Sequence, residues 1–155
     1  MTELTNALAF ALHLLSAIVW IGGMFFAYMA LRPAAVVTLE PPQRLRLWAR
    51  TLAGFFPWVF IAIILLLSSG LWMLHAQKLA LTAYLHTMIG LGVVMMLIFG
   101  HVYFAAFRRL RQAVAIEDWE SAAAKLAQIR KLVALNLSIG ILLVLAVSLL
   151  KRMSW

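Results

Sequence analysis

Few side chains in this sequence can do chemistry: four histidines, eight methionines and no cysteine. Without cysteine there are no disulfides, no thiolate metal sites and no thiol nucleophile. Imidazole and thioether remain, and both are ligands for transition metals. Imidazole suits iron and copper, and thioether suits Cu(I). All five carboxylates, Glu3, Glu40, Glu117, Asp118 and Glu120, lie outside the long apolar stretches. That argues against a carboxylate-driven proton pump, and no nucleophile–base pair or phosphate-binding loop is present.

His13 poses the sharpest question. It lies in "LAFALHLLSAIVWIGG", residues 8–23, and no charged residue occurs from Leu4 to Leu31. Taking a neutral imidazole out of water is costly unless a partner replaces its hydrogen bonds. Either a metal or a hydrogen-bonding neighbour would serve.

The elements that must position these side chains follow from composition. Of 155 residues, 66% are hydrophobic and 12% charged, against about 25% charged in soluble domains. Four stretches lack Asp, Glu, Lys and Arg: 4–31, 51–77, 79–107 and 132–150. Each holds the ~20 residues that a helix needs to cross the hydrocarbon core. They are too long and too uniformly apolar for barrel strands. The fold expected is all-α, a four-helix transmembrane bundle forming a single domain over 1–155. Its helices should cover about 4–31, 53–76, 80–107 and 132–150, with an amphipathic connection over 108–130. The first should stop before Pro33, and the second and third should meet in a tight turn around 77–82. The first run lacks a positive leader and is longer than the apolar core of a signal peptide, so it should stay as a span.

Ten of the thirteen basic residues fall in the first and third connections. By the positive-inside rule both connections are cytoplasmic and both termini extracytoplasmic. A multi-pass protein of the bacterial inner membrane follows, with the lipid bilayer as its surroundings. The +8 net charge is explained by topology and anionic lipid. No nucleic-acid module accompanies it, so nucleic acid is not expected as a partner. Small residues on the first, third and fourth helices should allow close packing, and a homo-oligomer is open.

Orientation converts position into depth. His13 should lie about 12 Å below the outer surface and His86 about 6–9 Å below it, on the first and third helices. Two imidazoles at one level can be the axial ligands of a haem. Ser16 and Trp20 share a face with His13, and Gly90 shares one with His86, leaving room for a macrocycle. Lys78, Thr82, Lys151 or Arg152 would meet its propionates. With both axial positions filled by protein, electron transfer is favoured over oxygen activation. The chain would then be a haem b oxidoreductase of cytochrome b type, exchanging electrons with a quinol or a redox partner protein. Copper is the alternative, with His13, His75, His86, Met73 and Met88 as soft donors. A cofactor-free assembly subunit with structural histidines is the third reading. His75 is expected at the water interface, and His101 in the inner leaflet, hydrogen-bonded to Asn136.

"ALHLLSAIVWIGGMFF", "SGLWML" closing the second helix, "YLHTMIG" opening the third and "RRLR" closing it resemble the CopD-like membrane family. The same outline is similar to the HemJ-type haem b membrane proteins. The first resemblance implies copper uptake across the inner membrane; the second implies haem b and oxidation of protoporphyrinogen. His13 and His86 fall on the histidines of the first and third helices of that pattern, and Trp20 and Gly23 match the residues after the first. HemJ-type sequences carry a lysine two residues beyond the third-helix histidine. Here that residue is Met88, which weakens the implied oxidase activity but not haem binding.

Overall fold

The structure is a computed structural model that describes residues 2–76 and 82–153. The described residues are almost wholly helical. Helix α1 (Thr2–Phe26) passes through a π-helical stretch (Ala27–Leu31) into α2 (Arg32–Thr38). Helix α3 (Pro41–Ala76) returns. Helix α4 (Ala83–His101) passes through a second π-helical stretch (Val102–Phe107) into α5 (Arg108–Ala115). Helix α6 (Trp119–Met153) completes the chain. Four segments are long and apolar enough to cross a membrane: Glu3–Thr38, Pro41–Ala76, Ala83–Ala115 and Trp119–Leu150. The all-helical, four-span fold is therefore as expected. The turn expected around 77–82 lies outside the described residues except for Thr82. So do Lys78 and the side chains of Lys151 and Arg152.

The helix bounds differ from expectation in an instructive way. The first span does not stop before Pro33 but runs on to Thr38. A proline inside a helix clashes with the carbonyl four residues back and lacks the N–H that would bond it. Here the chain widens just ahead of it, with the Arg32 N–H reaching the Ala27 carbonyl, five residues back. Pro33 then sits in the first turn of α2, where its missing donor costs least. The second span begins not at about 53 but at Pro41 and Pro42, which open α3, so "RLRLWAR", residues 44–50, is its first part. The connection over 108–130 is likewise not one amphipathic helix. It is the end of the third span, a three-residue turn and the start of α6.

That turn closes α5 with a Schellman motif. The Asp118 N–H donates to the Ala113 carbonyl at 2.9 Å and the Glu117 N–H to the Val114 carbonyl at 3.3 Å. Glu117 adopts φ 58°, the left-handed conformation that this motif requires. Asp118 at once caps α6: the Ser121 N–H donates to Asp118 Oδ1 at 3.0 Å. Arg46 pairs with Glu117 and lies 5.1 Å from the Trp119 ring centre. Both basic connections are thereby held at one end of the bundle.

The first span packs chiefly on the second and the third on the fourth, while the fourth also touches the first two. The core lies towards the basic end. Phe56, Phe60, Phe99, Tyr103 and Phe107 form edge-to-face pairs there, such as Phe56–Phe107 at 4.8 Å and Phe60–Tyr103 at 4.8 Å. Close approach is needed at Gly23, where any Cβ would overlap the Phe55 ring. At Gly140 a Cβ would lie 3.1 Å from both Ile21 and Met95.

Candidate functional site

Helical periodicity gathers the chemistry of the first span on one stripe. Ala9, His13, Ser16, Trp20 and Met24 recur at three- and four-residue intervals, so they share a face. All are buried except His13, which is partly buried. This face looks into the bundle, and the exposed positions between, such as Leu12, Leu15 and Val19, look outwards.

His13 finds its partner on the second span. Its Nδ1 is 3.0 Å from Ser69 Oγ, and Ser69 in turn donates to the Leu65 carbonyl. Gly70 lies beside the ring, where a Cβ would lie 3.5 Å from His13 Cε1, an ordinary contact distance. Ser16 is buried and donates to the Leu12 carbonyl at 2.7 Å. A neutral imidazole hydrogen-bonded at Nδ1 keeps Nε2 as its second ligating atom.

About 16 Å further along the helix axis, Met24 reaches a second polar point. Asn136 Nδ2 of α6 is 3.8 Å from Met24 Sδ. Asn136 is 3% exposed, and its Oδ1 has no hydrogen-bond partner among the described residues. Met24 and Asn136 line a cavity of about 30 Å³ together with Trp20, Phe56, Val59 and Phe99. Trp20 closes it against Phe99, edge to face at 6.1 Å. Met95 is buried beside Gly140 in the same core.

The other expected ligands lie elsewhere. His86 is exposed and its Nδ1 turns back to the Thr82 carbonyl of its own helix, 3.1 Å away. His13 faces Ser69 of the second span, while His86 is bonded within its own helix. Gly90 is exposed, with open space where a side chain would begin. His75 is exposed near the end of α3. The expected hydrogen bond between His101 and Asn136 is absent: His101 is exposed, and Asn136 faces Met24 instead. The π-helical stretch that begins at Val102 turns Val102, Ala106 and Phe107 into the core, while His101 stays outside. Among the described residues, no three of His, Cys, Asp and Glu come together as a metal cluster.

Sequence reasoning missed Ser69, Gly70 and the pairing of Met24 with Asn136. The signal available for Ser69 was its place in an otherwise apolar helix, "LLLSSGLW". Nothing in the sequence distinguishes it from Ser68 as the residue that faces His13.

A family model described as copper resistance protein D, CopD, matches residues 49–150, about two thirds of the chain. The matched segment begins within the second span and leaves the first outside. Neither the curated proteins nor the solved structures gave a match.

Proposed function

The chain belongs to the CopD family of copper resistance proteins, and from that premise we propose that it handles copper inside the membrane, along the inward face of its first span. The family match supports a copper-related, multi-pass membrane protein. The observation that carries the site is the stripe His13–Ser16–Trp20–Met24, which presents one imidazole and one thioether to the bundle interior. Imidazole and thioether fit Cu(I), a soft cation. Copper is the cargo here rather than a resident cofactor. A path of sparse, separated donors holds it weakly, and passage requires that binding be weak enough to leave.

His13 takes the ion nearer the termini, through Nε2, while Ser69 holds the ring by Nδ1. A hydrogen bond to the far nitrogen fixes the tautomer and orientation of a ligating histidine. Met24, with Met95 near it in the core, offers sulfur deeper in the bundle. Asn136 holds Met24 in place and has an oxygen to spare for a water or for the passing ion. By the positive-inside rule the basic end faces the cytoplasm, so the path runs from the extracytoplasmic side inwards, in the bacterial inner membrane.

Bis-histidine haem binding by His13 and His86 makes a different demand, namely that both rings meet across the bundle. Membrane extracts of the overexpressed protein separate the two readings. The copper reading expects a purified protein without a Soret band that retains Cu(I) supplied under reducing conditions. His13→Ala should lower that retention and His86→Ala should not. A Soret band lost in both variants would establish haem instead.

A further inference from the structure

The third span leaves one face without a partner. Its buried residues Leu85, Met95 and Phe99 lie on one side of α4, which packs on α6. On the opposite side Gly90, Val94, Leu97, His101, Phe104 and Arg108 are all exposed. They recur at alternating intervals of four and three residues, the spacing of the seam of a left-handed helix pair. Leu97 is 69% and Phe104 61% exposed, and a Cβ at Gly90 would meet open space. Lipid would suit the apolar members of this face, but it does not suit His101. That residue lies within the third span, about 10 Å along the axis from Arg108, and its side chain is too short to snorkel that far to the headgroups. His13 has Ser69 and His86 has the Thr82 carbonyl. The His101 ring has no hydrogen-bond partner among the described residues. Hydrocarbon offers it none, and histidines inside spans almost always face other polar groups.

We propose that this seam is the interface of a homodimer, in which the His101 rings of the two copies hydrogen-bond to each other. A two-fold axis along the membrane normal brings identical residues together at one depth. A neutral imidazole carries one donor and one acceptor nitrogen, so the N–H of one ring donates to the bare nitrogen of the other. A span of a different protein would need a polar group at that level, whereas a second copy supplies it by symmetry. One polar residue in an otherwise apolar seam also fixes register and the number of helices. Gly90, without a side chain, lets the two α4 helices approach closely towards the other end of the seam.

The test uses the full chain in membranes, and the absence of cysteine allows single thiols to be placed. Leu97→Cys, treated with iodine as an apolar oxidant, should give a disulfide-linked dimer of this chain. Leu142→Cys lies at the same depth, exposed on the fourth span, and should crosslink far less. In proteoliposomes, energy transfer between N-terminally labelled copies measures dimerisation. His101→Leu should dimerise about three- to twentyfold more weakly than the parent. His101→Asn keeps a donor and an acceptor and should stay close to the parent. Gly90→Leu meets open space within the monomer yet should weaken the dimer. Equal dimerisation of His101→Leu and the parent would overturn the proposal. So would equal crosslinking at Leu97→Cys and Leu142→Cys, or a Leu97→Cys crosslink to a different protein. If His101→Leu does not fold, the comparison of the two crosslinks decides alone.

Discussion

His13 survives in an apolar helix because Ser69 of the next span gives its ring a hydrogen-bond partner. In lipid no hydrophobic force pushes helices together, so such interhelical hydrogen bonds and close van der Waals contacts carry association. Ser69→Ala should therefore cost about 0.6 kcal/mol, and not more than about 1.7, when unfolding is followed in mixed micelles. Ser16→Ala should cost less, because Ser16 bonds only within its own helix. Gly23→Leu, which drives a side chain into the Phe55 ring, should destabilise by about 1–3 kcal/mol. Gly22→Leu meets open space and should be close to neutral in the same measurement. The sequence announced His13, because a lone imidazole in 28 uncharged residues needs a partner. It could not announce which partner: Ser69 is 56 residues away, and the facing of two helices depends on contacts along their whole length. His86 shows the reverse. Its depth suggested a role, but depth does not fix the direction in which a ring points.

The helices themselves were legible in their apolar runs, and their ends were not. The sequence suggested a stop before Pro33, a second helix from about 53 and a separate connection over 108–130, yet helices run through or begin within each of these stretches. The π-helical widening before Pro33 lets the helix pass the proline, and the long polar start of α6 is fixed at the turn by the Asp118 cap. The α5–α6 turn shows what a real break needs. Glu117 takes a left-handed conformation that costs a non-glycine residue about 1–2 kcal/mol. Glu117→Gly relieves that cost, offset by chain entropy of about 0.4–1 kcal/mol and loss of an exposed ion pair of under about 1 kcal/mol. The net change should be near zero. Glu117→Val, β-branched in the same conformation, should destabilise clearly, and thermal unfolding of both variants checks the contrast. Asp118 adds a pH dependence. Its hydrogen bonds with Ser121, from the side chain and then the backbone N–H, hold its carboxyl below the usual carboxylate range. A depressed folded value means that the cap stabilises fully above the unfolded carboxylate range. That contribution is lost as pH falls through the lowered value. Protection of the Ser121 and Ala122 amides, taken relative to intrinsic exchange at each pH, should fall on acidification, and Asp118→Asn, which cannot titrate there, should flatten the response.

At the scale of the whole molecule, charge and packing are both polarised. The basic residues, the ion pair of Arg46 with Glu117 and most of the aromatic core gather at one end. Towards the other end α6 has no buried residue from Ile141 to Leu150. The absence of native cysteine makes topology directly measurable. Glu40→Cys and Glu120→Cys should react with a membrane-impermeant thiol reagent only from the cytoplasmic side, and Glu3→Cys only from the opposite side. Labelling of Glu40→Cys from outside intact cells would invert the orientation and with it the direction of the copper path. Four spans and the copper relation were legible in the apolar runs and short motifs. The interior donors were not, because which stripe of each span faces inwards is settled only when all four pack.

The most direct measurement is Cu(I) binding to the purified chain under reducing conditions, titrated against a competing chelator of known affinity. Three proteins decide it: the parent, His13→Ala/Met24→Leu, and the triple variant His75→Ala/His86→Ala/His101→Ala. The account predicts that the parent and the triple variant bind alike and that the His13–Met24 variant loses binding. Binding that persists without His13 and Met24, and vanishes with the three exposed histidines, would contradict it.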